Sequence, residues 1–240
     1  MNSYAVQDRL NLRNCHNTDL SIEIMEVIEM WNDVPKPWKV VFEEAWLAFR
    51  NGNVPAGAAV YDENNALMSK AHNRYGEPDC LNRYIAHADA NVLFYLDLRY
   101  CRDPSKLTLY SSMEPCHMCL GMINLTGIKN ICSASSDLHM GAAHFLYDDA
   151  FLRSKQINYR NEGGDAELFT LVLHSYFEIK QITNKKDSSA LECYRRTNET
   201  AVEIAEKMYF RRILDQWSIQ EKNCEEVYNM IMKIKDERYS

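Results

Sequence analysis

Glycine and proline are scarce, 8 and 6 among 240 residues, which excludes collagen-like or other low-complexity character. No run of about 18 apolar residues occurs, so no segment is suited to span a membrane as a helix. Met1-Asn2-Ser3-Tyr4-Ala5 lacks the basic stretch and following apolar run of a secretory signal; the expectation is a cytoplasmic protein with no membrane partner. Positive charge is also in deficit. There are 27 Lys and Arg against 34 Asp and Glu, a formal charge of −7. That balance argues against a protein whose main task is gripping nucleic acid through its phosphates, though it is compatible with a local basic patch.

What is present is ordinary globular composition, 46% hydrophobic and 25% charged, at a length that suits one compact domain plus an extension. The 8 cysteines are too sparse for a disulfide scaffold. In a reducing compartment the question becomes which of them bind metal.

Ile22, Met25 and Ile28 recur at helical spacing behind Asp19 or Ser21 as a cap, and Pro35-Lys36-Pro37 interrupts that piece. A second helix is predicted with Trp38, Val41, Phe42, Ala45, Trp46 and Phe49 on its buried side, stopping near Gly52. Val54 to Tyr61, the turn-rich Asp62-Glu63-Asn64-Asn65 and Ala66 to Ala71 read as a hairpin. A helix follows over 86–98, with Ala90, Leu93 and Phe94 facing inward. Then come a strand from Leu107 to Ser111, a helix from Cys116 to Leu125 and a strand from Asn130 to Ala134. This alternation predicts an α/β structure with helices packed on a mixed sheet. Leu168 to Leu173 reads as a further strand. Residues 189–240, free of Gly and Pro, read as two helices broken near Trp217-Ser218.

Chemistry concentrates in two places. His87-Ala88-Asp89 opens one predicted helix, and Glu114-Pro115-Cys116-His117-Met118-Cys119 opens the next. A catalytic Zn²⁺ takes about three protein ligands and keeps a position for water. A Cys-x-x-Cys turn at a helix start aims two thiolates at one point, where backbone N–H groups favour them; His87 would complete the set. Asp89 would hold a carboxylate beside the activated water and move protons. His117 and Cys15, Cys80, Cys101, Cys132, Cys193 and Cys224 have no partner at metal-binding spacing and read as structural or surface residues.

These segments resemble the cytidine deaminase superfamily, whose zinc signature is His-x-Glu followed by Pro-Cys-x-x-Cys. The resemblance is closest to its tRNA adenosine deaminase and guanine deaminase branch, over about residues 36–155. Val54-Pro55-Ala56-Gly57-Ala58 resembles the branch's first strand, His72-Asn73-Arg74 its substrate-side Asn-Arg, the run from Met113 to Ile123 its zinc helix, and Asp137-Leu138-His139-Met140-Gly141-Ala142 a later segment. The resemblance implies a three-layer cytidine deaminase-like fold, a mixed five-stranded sheet with helices on both faces, plus a helical C-terminal extension. The chain divides accordingly into an N-terminal helical extension, residues 1–34, a deaminase domain, 35–175, and a C-terminal extension, 176–240.

It also implies a zinc-dependent hydrolytic deaminase of an exocyclic amine on a nucleobase, nucleoside or related heterocycle. His87, Cys116 and Cys119 would hold Zn²⁺ and Asp89 would be the proton carrier. Asn73, the Ala88 backbone N–H and Glu114 would contact the substrate, with Glu114 alternatively ordering the turn before Pro115. Phe145, Tyr147 and Phe151 are candidates to stack on the base. Two other functions share the residues: a deaminase acting on adenosine or cytidine within RNA, and a non-catalytic zinc-binding subunit. For the RNA reading Lys155, Arg160, Lys180, Lys185 and Lys186 are the nearest basic candidates. Relatives of the branch pair through helices near the zinc, so a homodimer is expected, with the aromatic tail (Tyr194, Tyr209, Phe210, Trp217, Tyr228) adding to the interface or capping the pocket.

Three departures from the family bear on the substrate. Asp89 replaces the family Glu and is shorter by one methylene, about 1 Å of reach, and a misplacement of that order costs roughly 10²-fold in rate. The stretch from Tyr75 to Ala86 is longer than the family's loop, which helps shape the pocket. His139 lies near a position that carries Lys in the tRNA-acting branch.

Overall fold

The computed structural model describes residues 30–182 and 188–237; the helix anticipated around Ile22 to Ile28 lies outside them. Helix α1 (Lys36–Arg50) carries Pro35 at its N-cap and buries Trp38, Val41, Phe42, Ala45, Trp46 and Phe49, the face anticipated from their spacing. Gly52 follows with φ +75°, the left-handed region in which a side chain would be strained.

Strands β1 (Gly57–Tyr61) and β2 (Leu67–His72) form the hairpin. Its turn is held by Asp62 Oδ1, which accepts the N–H groups of Asn64 and Ala66 at 2.8 Å each. Strands β3 (Thr108–Met113), β4 (Asn130–Ser135) and β5 (Asn158–Asn161) complete a sheet of order β2-β1-β3-β4-β5. The β2-β1-β3 side is antiparallel and the β3-β4-β5 side parallel.

Alternation along the strands divides the core into two layers. Ala58, Val60, Leu109 and Ile131 face one core with α2 (Ala88–Phe94) and α3 (His117–Thr126). Ala59, Tyr61, Cys132 and Ala134 face the other, with α1 and α6 (Gly164–Gln181). Two short helices, α4 (Phe145–Asp148) and α5 (Ala150–Ser154), lie between β4 and β5. Helices on both faces of a mixed five-stranded sheet are the architecture that the family resemblance implied.

Three expectations are corrected. Leu168 to Leu173 is the middle of α6, not a strand. A six-residue run with five apolar residues does not reveal its own period, and Leu168, Phe169, Leu171, Val172 and Leu173 are all buried because α6 is wedged between the sheet and the C-terminal helices. The fifth strand is instead Asn158–Asn161, a polar edge strand that hydrophobic patterning does not mark. The helix over 86–98 is confined to α2; Val92 is its buried apolar anchor, while Phe94 is 71% exposed.

Among the described residues the tail holds four helices rather than two: α7 (Ser189–Thr197), α8 (Glu199–Phe210), α9 (Ile213–Ile219) and α10 (Cys224–Asp236). Side chains of Ser188, Asn198 and Asn223 cap α7, α8 and α10, so polar caps divide a tail that has no Gly or Pro to do so. Trp217 lies inside α9. Helix α6 runs continuously through residue 175, and Tyr194, Ala201, Ile204 and Tyr228 pack into the same core as α1 and α6. No helix among the described residues is long and apolar enough to cross a membrane.

Candidate active site

Two helix starts meet at the C-terminal end of β3. His87 is the N-cap of α2, and its carbonyl accepts the Asn91 N–H at 2.9 Å. Cys116 is the N-cap of α3, and Cys119 lies in that helix's first turn. Cys116 Sγ is 3.5 Å from His87 Nδ1, Cys119 Sγ is 3.6 Å from the same nitrogen, and the two sulfurs are 3.6 Å apart.

A tetrahedral Zn²⁺ with Zn–S near 2.3 Å and Zn–N of about 2.0–2.1 Å holds such donors about 3.5–3.8 Å from one another. The triangle therefore fits zinc, and among the described residues it is the cluster of His, Cys and acidic groups able to hold a metal ion. The thiols share charge unevenly. The hydrogen bond from Cys119, then the His87 ring, brings the Cys116 thiol down to about 3. The same hydrogen bond and burial push Cys119 far up. Cys116 stands at the start of α3, where backbone N–H groups favour a thiolate.

Asp89 is 6% exposed and its Oδ1 finds no hydrogen-bond partner among the described residues. Burial pushes its carboxyl up to about 6, while the Ser111 hydroxyl and the His87 ring pull the other way. Asp89, His87 and Cys116 open on one cavity of about 240 Å³. Asn73, Ala88 and Glu114 also line it, so the residues expected to form the site are brought together. Among the described residues, the acidic side chains of the lining are Asp89, Glu114, Asp137 and Glu178, and no Lys or Arg joins them.

A charged network involves both chain neighbours of Asn73, His72 and Arg74. The two ring nitrogens of His72 face Glu44 Oε2 at 2.8 Å and Glu77 Oε1 at 3.0 Å. Carboxylates only accept, so the ring carries both protons; hydrogen bonding to Glu44, then Glu77, raises its pKa. Asn73 Oδ1 accepts the Tyr75 N–H at 2.9 Å, which leaves its amide NH₂ as the group to meet a ligand. Glu114 accepts the Ala143 N–H at 2.8 Å through Oε1 and the Asp137 N–H at 3.1 Å through Oε2. These bonds hold the 137–143 loop and not the turn before Pro115, the anticipated alternative to substrate contact.

Other expectations are corrected. Phe145 packs on the rings of His117 and His144, Tyr147 and Phe151 are exposed, and none of the three lines the cavity. No residue from Tyr75 to Ala86 lines it either. That loop is closed at its base by Arg74 N–H to Ala86 O at 3.0 Å, and Arg74 is tied to Glu77 and Asp79. Lys155 sits over the Phe151 ring, Arg160 pairs with Glu162 and Lys180 with Asp215, all away from the cavity lining; Lys185 and Lys186 lie outside the described residues.

The remaining wall comes from elements that no motif pointed to. His174 and Glu178 of α6 and Ala190 and Tyr194 of α7 line the cavity; of the five tail aromatics Tyr194 is the one that does so, while Tyr209, Trp217 and Tyr228 pack against the core and Phe210 is exposed. Ser111 on β3 and His139 and Met140 after β4 contribute as well.

The sequence model of the cytidine and deoxycytidylate deaminase zinc-binding region matches residues 36–135. A tRNA-specific adenosine deaminase of Aquifex aeolicus is 30% identical over 126 residues, 51% of this chain and 78% of that protein. A probable cytosine deaminase of Schizosaccharomyces pombe is 35% identical over 80 residues, 33% of this chain; the match spans less than half of that relative, 46% of its length. Among solved structures, a guanine deaminase from Nitrosomonas europaea aligns at 20% identity and a TM-score of 0.44, over 72% of this chain and 100% of that one.

Proposed function

Because the chain belongs to the cytidine and deoxycytidylate deaminase zinc-binding family, we propose that it is a hydrolytic deaminase that removes an exocyclic amine from a small aminoheterocycle, a free nucleobase or nucleoside, as ammonia. The observation that carries this reading is the triangle of His87, Cys116 and Cys119, two of whose members, His87 and Cys116, line the same cavity as the buried carboxyl of Asp89. When bound, Zn²⁺ supplies Lewis acidity, which brings the pKa of water down toward neutrality.

In the reaction the water oxygen adds to the ring carbon that bears the amine. Asp89 takes the water's proton, delivers it to the adjacent ring nitrogen and passes a second proton to the amine; the C–N bond breaks, ammonia leaves and a carbonyl remains. The Asn73 amide and the Ala88 N–H orient the ring. Glu114 holds the 137–143 loop against the site through its two backbone hydrogen bonds.

The cavity's chemistry favours an uncharged substrate. Among the described residues, four carboxyl groups and no Lys or Arg line it, a poor surround for phosphates, and its volume lies below the range of about 300–1,000 Å³ of pockets for larger ligands. These features support the small-molecule reading over an RNA-acting deaminase. The free thiols of the described cysteines suit a reducing, cytoplasmic compartment. We further propose a homodimer. Leu81, Tyr84, Phe94 and Tyr95 are large, exposed apolar side chains on α2 and the segment around it, more than an isolated surface leaves open without use. Light scattering of a 28.0 kDa particle would overturn the dimer.

The test is ammonia release by the zinc-loaded protein from adenine, guanine, cytosine and their nucleosides, alongside a short adenosine-containing RNA stem-loop. Turnover of a base or nucleoside supports the proposal. Turnover of the RNA alone replaces it with the RNA reading, and a zinc-replete protein without turnover leaves a binding module.

A further inference from the structure

Helix α6 buries Thr170, His174 and Ser175 among apolar side chains, and of these three His174 lines the cavity. Its neighbours Leu171, Val172, Leu173 and Tyr176 are fully buried. His174 itself is 5% exposed, and its Nε2 is enclosed with no hydrogen-bond partner among the described residues. Buried polar groups are almost always paired, and a second aromatic or aliphatic side chain would fill this place without an orphaned nitrogen. His174 also lines the cavity that holds His87, Cys116 and Asp89. Tyr194 of α7 stands edge-on to it, with ring centroids 5.9 Å apart and planes at 74°, and lines the same cavity.

We propose that His174 is a specificity-determining residue, a neutral imidazole that hydrogen-bonds a polar ring edge of the substrate while Tyr194 packs beside it. The inference rests on the deaminase reading of this cavity and deepens it. It assigns the substrate wall to α6 and α7, and it names the ligand's chemistry: an uncharged heteroaromatic ring that presents a carbonyl oxygen, a ring nitrogen or a ring N–H toward α6.

Neutrality follows from the surroundings. Burial lowers the His174 pKa to about 4, so at pH 7 the ring offers one donor and one acceptor. A site built around such a group rejects a ring that lacks the matching atom, because the imidazole is then left unpaired in a closed space. The carboxyl groups of the same cavity cannot stand in for it as donors while ionised.

The test compares wild type, His174→Phe and His174→Gln as zinc-loaded full-length chains. Two probes that need no turnover are purine, which has no exocyclic group, and hypoxanthine, which adds a ring carbonyl and N–H. The readout is the shift in melting temperature at matched probe concentration, together with kcat and KM for whichever base of the ammonia panel is turned over. His174→Phe is expected to keep its zinc and to melt at or above the wild-type temperature without ligand, since it removes an unpaired buried nitrogen. It should bind hypoxanthine about tenfold more weakly, the scale of one lost hydrogen bond, with the kinetic loss in KM. His174→Gln should recover most of the affinity.

Equal hypoxanthine shifts in wild type and His174→Phe, including no shift in either, overturn the inference. So does a His174→Phe protein that melts lower yet keeps the wild-type KM, which is the behaviour of a packing residue. An active wild type with an unchanged His174→Phe variant defeats this inference and leaves the deaminase reading standing. Selective hypoxanthine binding without any turnover does the reverse.

Discussion

The carboxylate of Glu114 fills the space that a side chain at Gly141 would need. A Cβ at position 141 would lie 2.5 Å from Glu114 Cδ and 2.5 Å from the Asp137 carbonyl oxygen. Only glycine lets the 137–143 loop close over Glu114 and donate its Asp137 and Ala143 N–H groups to the carboxylate. The same loop reaches the zinc helix, because Ala142 N–H donates to Pro115 O at 3.0 Å.

Gly141→Ala therefore forces either Glu114 or the loop backbone to move. Overpacking of this kind costs about 1–3 kcal/mol, and each kcal/mol lowers the melting temperature by about 2–4 °C in a chain of this size. Zinc occupancy should fall with it, since Cys116 follows the pinned Pro115. Thermal unfolding and metal analysis of the purified variant check both, and a variant with parental melting temperature and zinc content would remove the loop's role.

Metal content tests the centre directly. Wild type is expected to bind one Zn²⁺ per chain, and Cys116→Ser, Cys119→Ser and His87→Ala each to lose most of it. A chelator should lower the melting temperature of wild type and leave the three variants unmoved, because a metal that binds only the folded chain stabilises it by mass action. Full zinc in Cys116→Ser would contradict the ligand set.

The network flanking Asn73 gives a pH prediction. The folded-state pKa of His72 is raised, so its contribution to stability is whole below its unfolded value near 6.5 and is lost as pH rises through the folded value. Glu44 and Glu77 are lowered by hydrogen bonds to His72, Lys70 and Arg74, so their contribution is present above about 4.5 and is lost as pH falls. Melting temperature should decline from mildly acidic to alkaline pH in wild type, and His72→Gln should flatten that decline. Parallel curves for the two proteins would show that His72 is not paired in solution.

The site's chemistry was more legible in the sequence than its shape. His87, Asp89, Cys116 and Cys119 could be read because metal ligation demands particular side chains at short, rigid spacings, and α1 could be read because its apolar stripe faces one way. The helix from Gly164 to Gln181 could not, because a helix buried on several sides loses the polar face that shows its period. Nor could β5, an edge strand of Asn-Tyr-Arg-Asn. The wall formed by His174 and Tyr194 depends on long-range packing of the tail, for which no local spacing rule exists. Loop length was a misleading guide to the pocket, because ion pairs of Arg74 hold the 75–86 segment without giving the cavity a single lining residue.

Asp89 carries the sharpest expectation. Its carboxyl is buried, one oxygen lacks a partner, and it opens on the cavity beside the metal ligands. Keeping an ionisable group there costs stability, a cost that fits a group retained for proton transfer. Asp89→Asn preserves shape and hydrogen-bonding capacity but cannot take up and return the proton. It is expected to keep its zinc, to melt at or above the parental temperature at pH 8, and to lose kcat by at least about 10²-fold, the scale of a general acid–base group. Asp89→Glu restores the carboxylate with one more methylene and should recover activity relative to Asp89→Asn. Steady-state ammonia release with metal content measured on the same samples decides the matter. Parental turnover by Asp89→Asn would remove Asp89 from the mechanism, and turnover that appears only in Asp89→Glu would make the natural chain a zinc-binding module whose cavity holds, but does not convert, its ligand.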